Sequence, residues 1–365
     1  MDDYNNMQFA ETKEETDKKC PQCGGVMDFD PATGNLKCPY CDYEETIPVR
    51  EEDSKKADEL DFLAAEHTAN KNWGTETKTV ICKACGAESI YDALQTSAVC
   101  PFCGSNQVME AKEQDTIAPG GVVPFRVSDK EAAELFHKWI RRKWFCPKLA
   151  KNSAKPKRFK GIYLPYWTFD TDTVSSYHGE YGIDHTHQDR DGNTHVTTNW
   201  HRTSGSYREF INDELVLASN NHDMSMLRQL EPFDTENNKS YKPEYIAGFV
   251  AERYSLGLKD AWNKAMTSIK SKLSNSVSSK IRNEHHADHV RNVSLQTDFN
   301  NITYKYLLLP VWISNFKYND KIYQFMVNGQ TGKVAGKTPL SIPKIILTVL
   351  GVIAILVLLY YLDLI

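Results

Sequence analysis

Apolar and polar positions alternate with several different periods along this chain, and each change of period marks an element. Between Asp53 and Asn70, Leu60, Leu63 and Ala64 fall at helical spacing and predict a short helical connection. The Pro119-Gly120-Gly121 boundary leads into Val122-Val123-Pro124-Phe125, a brief predicted strand. Ser128 and Glu131 then make a capping-box signature, with Leu135, Phe136, Trp139 and Ile140 as the apolar face of the helix behind it. Residues 161–218 read as strands, opening on Gly161-Ile-Tyr-Leu-Pro165-Tyr-Trp167-Thr-Phe169 and turning at Asp189-Arg-Asp-Gly192-Asn193. A helical block is predicted from Pro243 to His289, with Ile246, Phe249, Val250, Tyr254, Leu258, Trp262, Met266 and Ile269 along one side. Strands return at Val293–Thr297 and Thr303–Tyr318. Asn319-Asp320 turns into Lys321–Val327, and Asn328–Gly332 turns into Lys333-Val334-Ala335. Leu309-Pro310-Val311-Trp312 echoes Leu164-Pro165-Tyr166-Trp167 and hints at paired β units, each proline suiting an edge or strand-entry position.

The last apolar run has no period. From Ile345 to Leu362 it is apolar on every face, and at a rise of about 1.5 Å per residue it spans roughly 27 Å, close to a bilayer core. Tyr360, Tyr361 and Asp363 fall where an interface would lie. Lys333, Lys337 and Lys344 precede the run and no Lys or Arg follows it. The expectation is a single-pass, tail-anchored cell-membrane protein with its N-terminal bulk in the cytoplasm. Residues 1–18 are acidic and poor in large apolar side chains, contain no signal-peptide core, and are expected to be disordered.

Cysteine spacing adds what periodicity cannot. Eight of the nine cysteines form four C-x-x-C pairs: Cys20/Cys23 with Cys38/Cys41, and Cys82/Cys85 with Cys100/Cys103. Fourteen residues separate the inner cysteines in both sets, so the unit repeats. Each set fits a tetrahedral zinc ribbon, with Gly24, Gly86 and Gly104 permitting the tight backbone beyond the second ligand and Asp30–Gly34 forming a hairpin turn. Two structural Zn2+ ions are expected, and four thiolates per ion leave no position open for catalysis. Asp28, Asp30, Asp42, Glu44 and Glu45 flank the first ribbon, and Glu88, Asp92 and Glu110 the second. Such surfaces repel phosphate and favour a protein contact over nucleic acid. The ninth cysteine, Cys146, reads as a half-buried structural thiol.

The net charge of −5 announces no polyanionic partner, yet residues 141–160 are strongly basic and contain no acid. They suit anionic headgroups or nucleic acid, and equally a solvated loop that balances the acidic ribbons. His185, His187 and His195 flank the predicted hairpin turn and could meet across strands as a metal site, although neighbouring threonines suggest a plain solvent face. His285 and His289 are expected one helical turn apart, without the glutamate of a zincin motif. Gly332–Thr338 is one residue short of a phosphate loop and runs into Pro339. Asp170 and Asp172 read as strand-end polar residues. No catalytic set stands out, and no enzymatic activity is expected.

The four-cysteine ribbons, Gly161–Asp170 and the Leu-Leu-Leu-Pro310-Val-Trp-Ile phrase together resemble a bacterial family of membrane-anchored double zinc-ribbon proteins, the YdjG type. Members often carry labels such as TFIIB-type zinc ribbon or primosomal protein N′-like. The resemblance implies a non-enzymatic membrane component acting with flotillin-like (SPFH) and phage-shock-type partners. The expected fold is α+β: an acidic tail (1–18), ribbon one (19–46), a helical linker (47–78), ribbon two (79–110), a central domain with antiparallel strands (111–340) and a transmembrane helix (345–362). The expected function is a membrane adaptor whose ribbons and central domain recruit protein partners. Membrane-proximal nucleic-acid binding through residues 141–160 is the alternative, and a metal-dependent hydrolase using His185, His187 and His195 a third reading.

Overall fold

The computed structural model describes residues 19–47, 56–65, 77–82, 88–92, 108–110, 117–152, 159–188, 194–220, 222, 224–318 and 321–361. In chain order the strands are β1 (Asp28–Asp30), β2 (Asn35–Lys37), β3 (Glu44–Glu45), β4 (Leu60–Asp61), β5 (Thr77–Cys82), β6 (Glu88–Asp92), β7 (Val108–Glu110) and β8 (Gly121–Val122). They continue with β9 (Lys160–Gln188), β10 (Thr194–Leu217), β11 (Lys239–Ser240), β12 (Val250–Glu252), β13 (His289–Tyr318), β14 (Lys321–Asn328) and β15 (Val334–Gly336). The helices are α1 (Asp129–Arg142), α2 (Lys148–Asn152), α3 (Met224–Arg228), α4 (Leu258–Glu284) and α5 (Ile342–Tyr361). The fold is mixed α/β and dominated by antiparallel pairing. β1–β3 make a small sheet, and the remaining strands join one twelve-stranded sheet.

β9 and β13 are the spine. They pair antiparallel from His289↔Gly182 to Ile313↔Lys160, with β10 on the other side of β9. At about 3.3 Å per residue, the 30 residues of β13 reach roughly 100 Å. α4 braces this ribbon with Ala261, Trp262, Ala265, Ile269, Leu273, Val277 and Ile281, a stripe of near four-residue spacing that is buried against it. The ribbon bends at bulges. Asp213, Asn292 and Asn301 each take positive φ at a register shift, a conformation Asp and Asn tolerate. Asp170 accepts the N–H of Asp213, and Asp172 accepts from the Asn301 amide. The two acids expected at a strand end thus lie within β9, where they hold the bulges of its neighbours.

The echo between the two Leu-Pro-aromatic phrases is structural. Leu164 pairs with Leu309, which makes that pair the local two-fold of the sheet. On one side, β12 runs parallel to β9 at Ile162–Tyr163, and the hairpin partner β10 takes over at Tyr166. On the other, β8 runs parallel to β13 at Leu307–Leu308, and β14 takes over at Val311. Pro165 and Pro310 stand at these seams. Each carbonyl accepts from the residue just past the hairpin partner, Ala218 and Gly329. An edge or strand-entry position was expected for both prolines; they lie inside the two central strands instead, where a change of partner removes the need for an N–H.

The match extends into the helices. Ala218 O accepts the N–H groups of Ser255 and Leu256, as Gly329 O accepts those of Arg126 and Val127. Trp167 Nε1 donates to Leu256 O at 2.9 Å, and Trp312 Nε1 donates to Val127 O at 2.8 Å. Ser128 and Gly257, next in sequence, are the N-caps of α1 and α4. Two units of short strand, helix, long strand and hairpin therefore exchange their short strands across the dyad.

The capping box of Ser128 and Glu131 forms as expected. Two helical expectations do not hold. Leu60 lies in β4 and pairs with Tyr304, not on a helix over 53–70. The block from Pro243 opens with a 3-10 turn (Pro243–Ile246) and β12, so the helix starts only at Leu258. Ile246 and Phe249 are buried because they pack into the core from a loop, where Phe249 stacks on Phe125 at 4.5 Å.

Candidate metal centre

Cys20, Cys23, Cys38 and Cys41 converge. Their sulfurs all lie within 4.8 Å of one another, with Cys20–Cys41 at 3.4 Å and Cys23–Cys38 at 3.5 Å. Four sulfurs each about 2.3 Å from a tetrahedral ion would stand a little under 4 Å apart, so the donor set fits a small tetrahedral metal with little adjustment. Both knuckles use the same turn. Cys20 O accepts from Gly24 N and Cys20 N donates to Gly25 O; Cys38 O accepts from Asp42 N and Cys38 N donates to Tyr43 O. The residue after the second cysteine is left-handed in each, with φ +72° at Gly24 and +58° at Asp42. Glycine serves the first knuckle and an aspartate the second.

Desolvation opposes ionisation of Cys38. The N–H groups of Tyr40 and Cys41, with the thiols of Cys23 and Cys41, outweigh it and bring Cys38 down to about 7. The Tyr43 N–H favours the Cys41 thiolate, but desolvation and the other three sulfurs push that thiol up to about 12. The cluster thus holds one thiolate readily and resists further negative charge until a cation arrives, as a metal-ligand set should. Lys37 lies 3.5 Å from both Asp42 and Glu44 and offsets part of the acidic rim.

The ribbon is fastened to the large sheet. Phe29 N donates to Ala247 O, the Phe29 ring meets Tyr245 edge-on at 6.0 Å, and Tyr163 Oη donates to Tyr245 O. Gly248, at φ +80°, lies so close to Asp28 that a Cβ there would come within 2.7 Å of its carboxylate. Metal binding at the knuckles therefore bears on a surface already joined to β9.

Of the second set, Cys85, Cys100 and Cys103 lie outside the described residues, and of Cys82 only its backbone in β5 is described, opposite Val108. Among the described residues, Cys20, Cys23, Cys38 and Cys41 are the one group of three or more side chains placed to hold a metal. His187 and His195 do face each other, with ring centroids 5.8 Å apart, but His185 does not complete a set with them. Thr197 hydrogen-bonds to His187 Nδ1 and to the His185 carbonyl. His285 and His289 are not on one helical turn. α4 ends at Glu284; His285 stacks on Tyr181 at 4.1 Å, and His289 Nε2 lies 3.0 Å from Asp184. Cys146 is buried and desolvation raises its thiol pKa, which suits a structural role.

Gly332 closes a turn that leads into β15 and not into a helix N-terminus that could cradle phosphate. α5 is long and apolar enough to cross a membrane, and none of its side chains is buried against the body. Sequence reasoning missed a buried polar group: Glu252 accepts from Ser219 at 2.8 Å and lies 2.6 Å from His222 Nε2. Its signal would have been alignment of 122–128 with 251–257, which sets Glu252 opposite the apolar Val123.

No family model matches the chain, and no solved structure matches it. It is 30% identical over 330 residues to the uncharacterized protein YdjG of Bacillus subtilis (strain 168), an alignment that spans 90% of this chain and 91% of that protein. A likeness that covers nine-tenths of both chains is not that of one shared module, and the chain belongs to the YdjG family.

Proposed function

We propose that this chain is a non-enzymatic membrane adaptor: zinc folds its ribbons, α5 crosses the bilayer once, and the sheet presents the ribbons to a protein partner on the side from which α5 enters. The observation that carries the reading is the attachment of a four-sulfur cluster to a large sheet in a chain that also carries an unburied apolar helix. Zinc is the ion that sulfur-only tetrahedral donors suit best, and a closed shell of four gives it a structural role. Lys333 and Lys337 before α5, with Lys344 in its first turn, favour the cytoplasmic side for the body. The family resemblance suggests flotillin-like (SPFH) or phage-shock membrane-stress components as partners.

The test is proximity labelling in cells, comparing the intact chain with one ended before Ile345 and one with the eight paired cysteines changed to serine. An adaptor yields a membrane partner that disappears with either change. A partner set indifferent to both would remove the reading.

A further inference from the structure

The loop between α1 and α2 is tied to the first turn of α5. Ser341 N donates to Phe145 O at 2.7 Å, Lys344 Nζ donates to Trp144 O at 2.9 Å and to Cys146 O at 3.1 Å, and the Lys344 ammonium lies 5.7 Å from the Trp144 ring. These bonds bring a distant part of the sequence to the point where α5 leaves the body. What that part presents is unlike an ordinary soluble surface. Trp144 is 67% exposed and Leu149 73%, beside exposed Phe145, Leu340 and Ile342. Around them Arg141, Arg142, Lys143 and Lys148 are exposed, in a stretch without a carboxylate from Leu135 to Lys160.

We propose that residues 141–149 form a foot that seats in the headgroup layer of an anionic lipid leaflet. Trp144, Phe145 and Leu149 would enter the interface while the four cations contact lipid phosphates. The proposal rests on α5 being a membrane span. Given the span, the foot lies at the depth where aromatic and basic side chains are favoured. α5 itself carries aromatic residues only at its far end, Tyr360 and Tyr361. Trp144 and Phe145 supply the near aromatic belt, from a segment almost two hundred residues away in sequence. A second attachment point beside the helix fixes the tilt of the body on the membrane, which a single helix leaves free. The same cations could in principle meet nucleic acid, but exposed Trp, Phe and Leu at a membrane entry favour lipid.

The full chain is reconstituted in nanodiscs of phosphatidylcholine alone or mixed with phosphatidylglycerol, and tryptophan quenching by brominated lipid is recorded for wild type and Trp144→Phe. The difference isolates Trp144. Strong quenching of that component in the anionic discs, weakened in pure phosphatidylcholine, is expected. In Arg141→Gln/Arg142→Gln/Lys143→Gln/Lys148→Gln the docked-to-undocked ratio falls about fivefold per charge. An unquenched Trp144 would overturn the foot, as would a duplex DNA that binds the discs in a salt-dependent manner and is lost in the fourfold variant while Trp144 quenching persists. Carbonate extraction separates the two readings. A chain that stays in the membrane with Trp144 unquenched loses only the foot, whereas a chain released by carbonate loses the span as well.

Discussion

Lys305 offers a sharp test of how the sheet is held together. Its side chain is 7% exposed on β13, with Asp213 Oδ1 at 2.8 Å, Glu59 Oε1 at 3.3 Å and Asp170 Oδ2 at 3.6 Å. One ammonium thus ties the β10 bulge, β9 and the segment leading into β4. Burial pushes the Asp170 carboxyl up despite the Asp213 N–H and Lys305. Burial also favours a neutral Lys305, but Asp213, Asp170 and Glu59 outweigh it and raise its pKa. Lys305→Met keeps most of the side-chain volume and leaves two desolvated carboxylates without their cation. Breaking a buried pair costs about 3–5 kcal/mol. Asp213 keeps the Thr235 hydroxyl and Asp170 keeps the Asp213 N–H, so the low end, about 3 kcal/mol, is expected.

The pH dependence has a definite sign. A carboxyl whose folded pKa is raised binds more protons folded than unfolded, so stability falls as pH rises from its ordinary value through the raised one. Without Lys305 that rise is larger, and the variant's deficit should shrink between neutral pH and about pH 5. Urea unfolding of the full chain in mild detergent, followed by far-UV circular dichroism at both pH values, measures it. Adding Asp213→Asn should recover part of the loss, because the two sites share one network. A deficit below about 1 kcal/mol, or one equal at both pH values, would refute the claim that these carboxylates depend on Lys305.

Three further outcomes are expected. Cys38→Ser should remove one equivalent of bound zinc per chain by elemental analysis; unchanged metal content would exclude the first ribbon as a site. Trp167→Phe and Trp312→Phe should each cost about 1–3 kcal/mol in urea, the fully buried Trp167 the more, because each strands the carbonyl before a helix cap; a difference of several kcal/mol would contradict the internal two-fold. The Thr198 hydroxyl, together with His289, holds the Asp184 carboxyl below its usual range. Its stabilising effect is present above the ordinary carboxylate range and is lost as pH falls through the depressed value. Asp184→Asn should therefore remove acid-induced hydrogen exchange at the far end of the β9–β10 ribbon, and exchange that stays acid-sensitive would discount the contact.

Local chemistry dictates the features that were legible in the sequence. The C-x-x-C knuckles, the Asp30–Gly34 turn, the Ser128 capping box and the apolar run of α5 each involve residues a few positions apart whose chemistry allows few alternatives. The failures share a cause. β4 and β12 are two and three residues long, too short to show a period, and they exist because a distant strand offers them hydrogen bonds. Ile246, Phe249, Val250 and Tyr254 matched a helical stripe because a buried loop and a buried helix both need apolar side chains at intervals. Asp170 and Asp172 resembled strand ends because the bulges they serve lie on other strands. The foot shows the same limit: its basic composition was plain, but its place beside α5 depends on bonds between Lys344 and a loop far from it in sequence.

The internal two-fold gives these parts a common logic. Both units begin with the same strand, cap and helix, and both carry the indole bond that locks the helix start to the other unit's long strand. They diverge along and beyond the helix. α4 continues for 27 residues and braces the β9–β13 ribbon, passing almost directly into β13. α1 stops after 14 residues, and the chain beyond it turns outward to meet α5 before β9 begins. The freed segment carries Trp144, Phe145 and the cations, while the equivalent length in the other unit is spent on helix. The dyad keeps the core symmetric, so divergence outside it can give the two units separate tasks, one supporting a long ribbon and the other meeting the membrane. Shortening α4 should therefore loosen the ribbon without moving the foot, because α4 packs on β9, β10 and β13, whereas α1 packs on α2, β14 and β15.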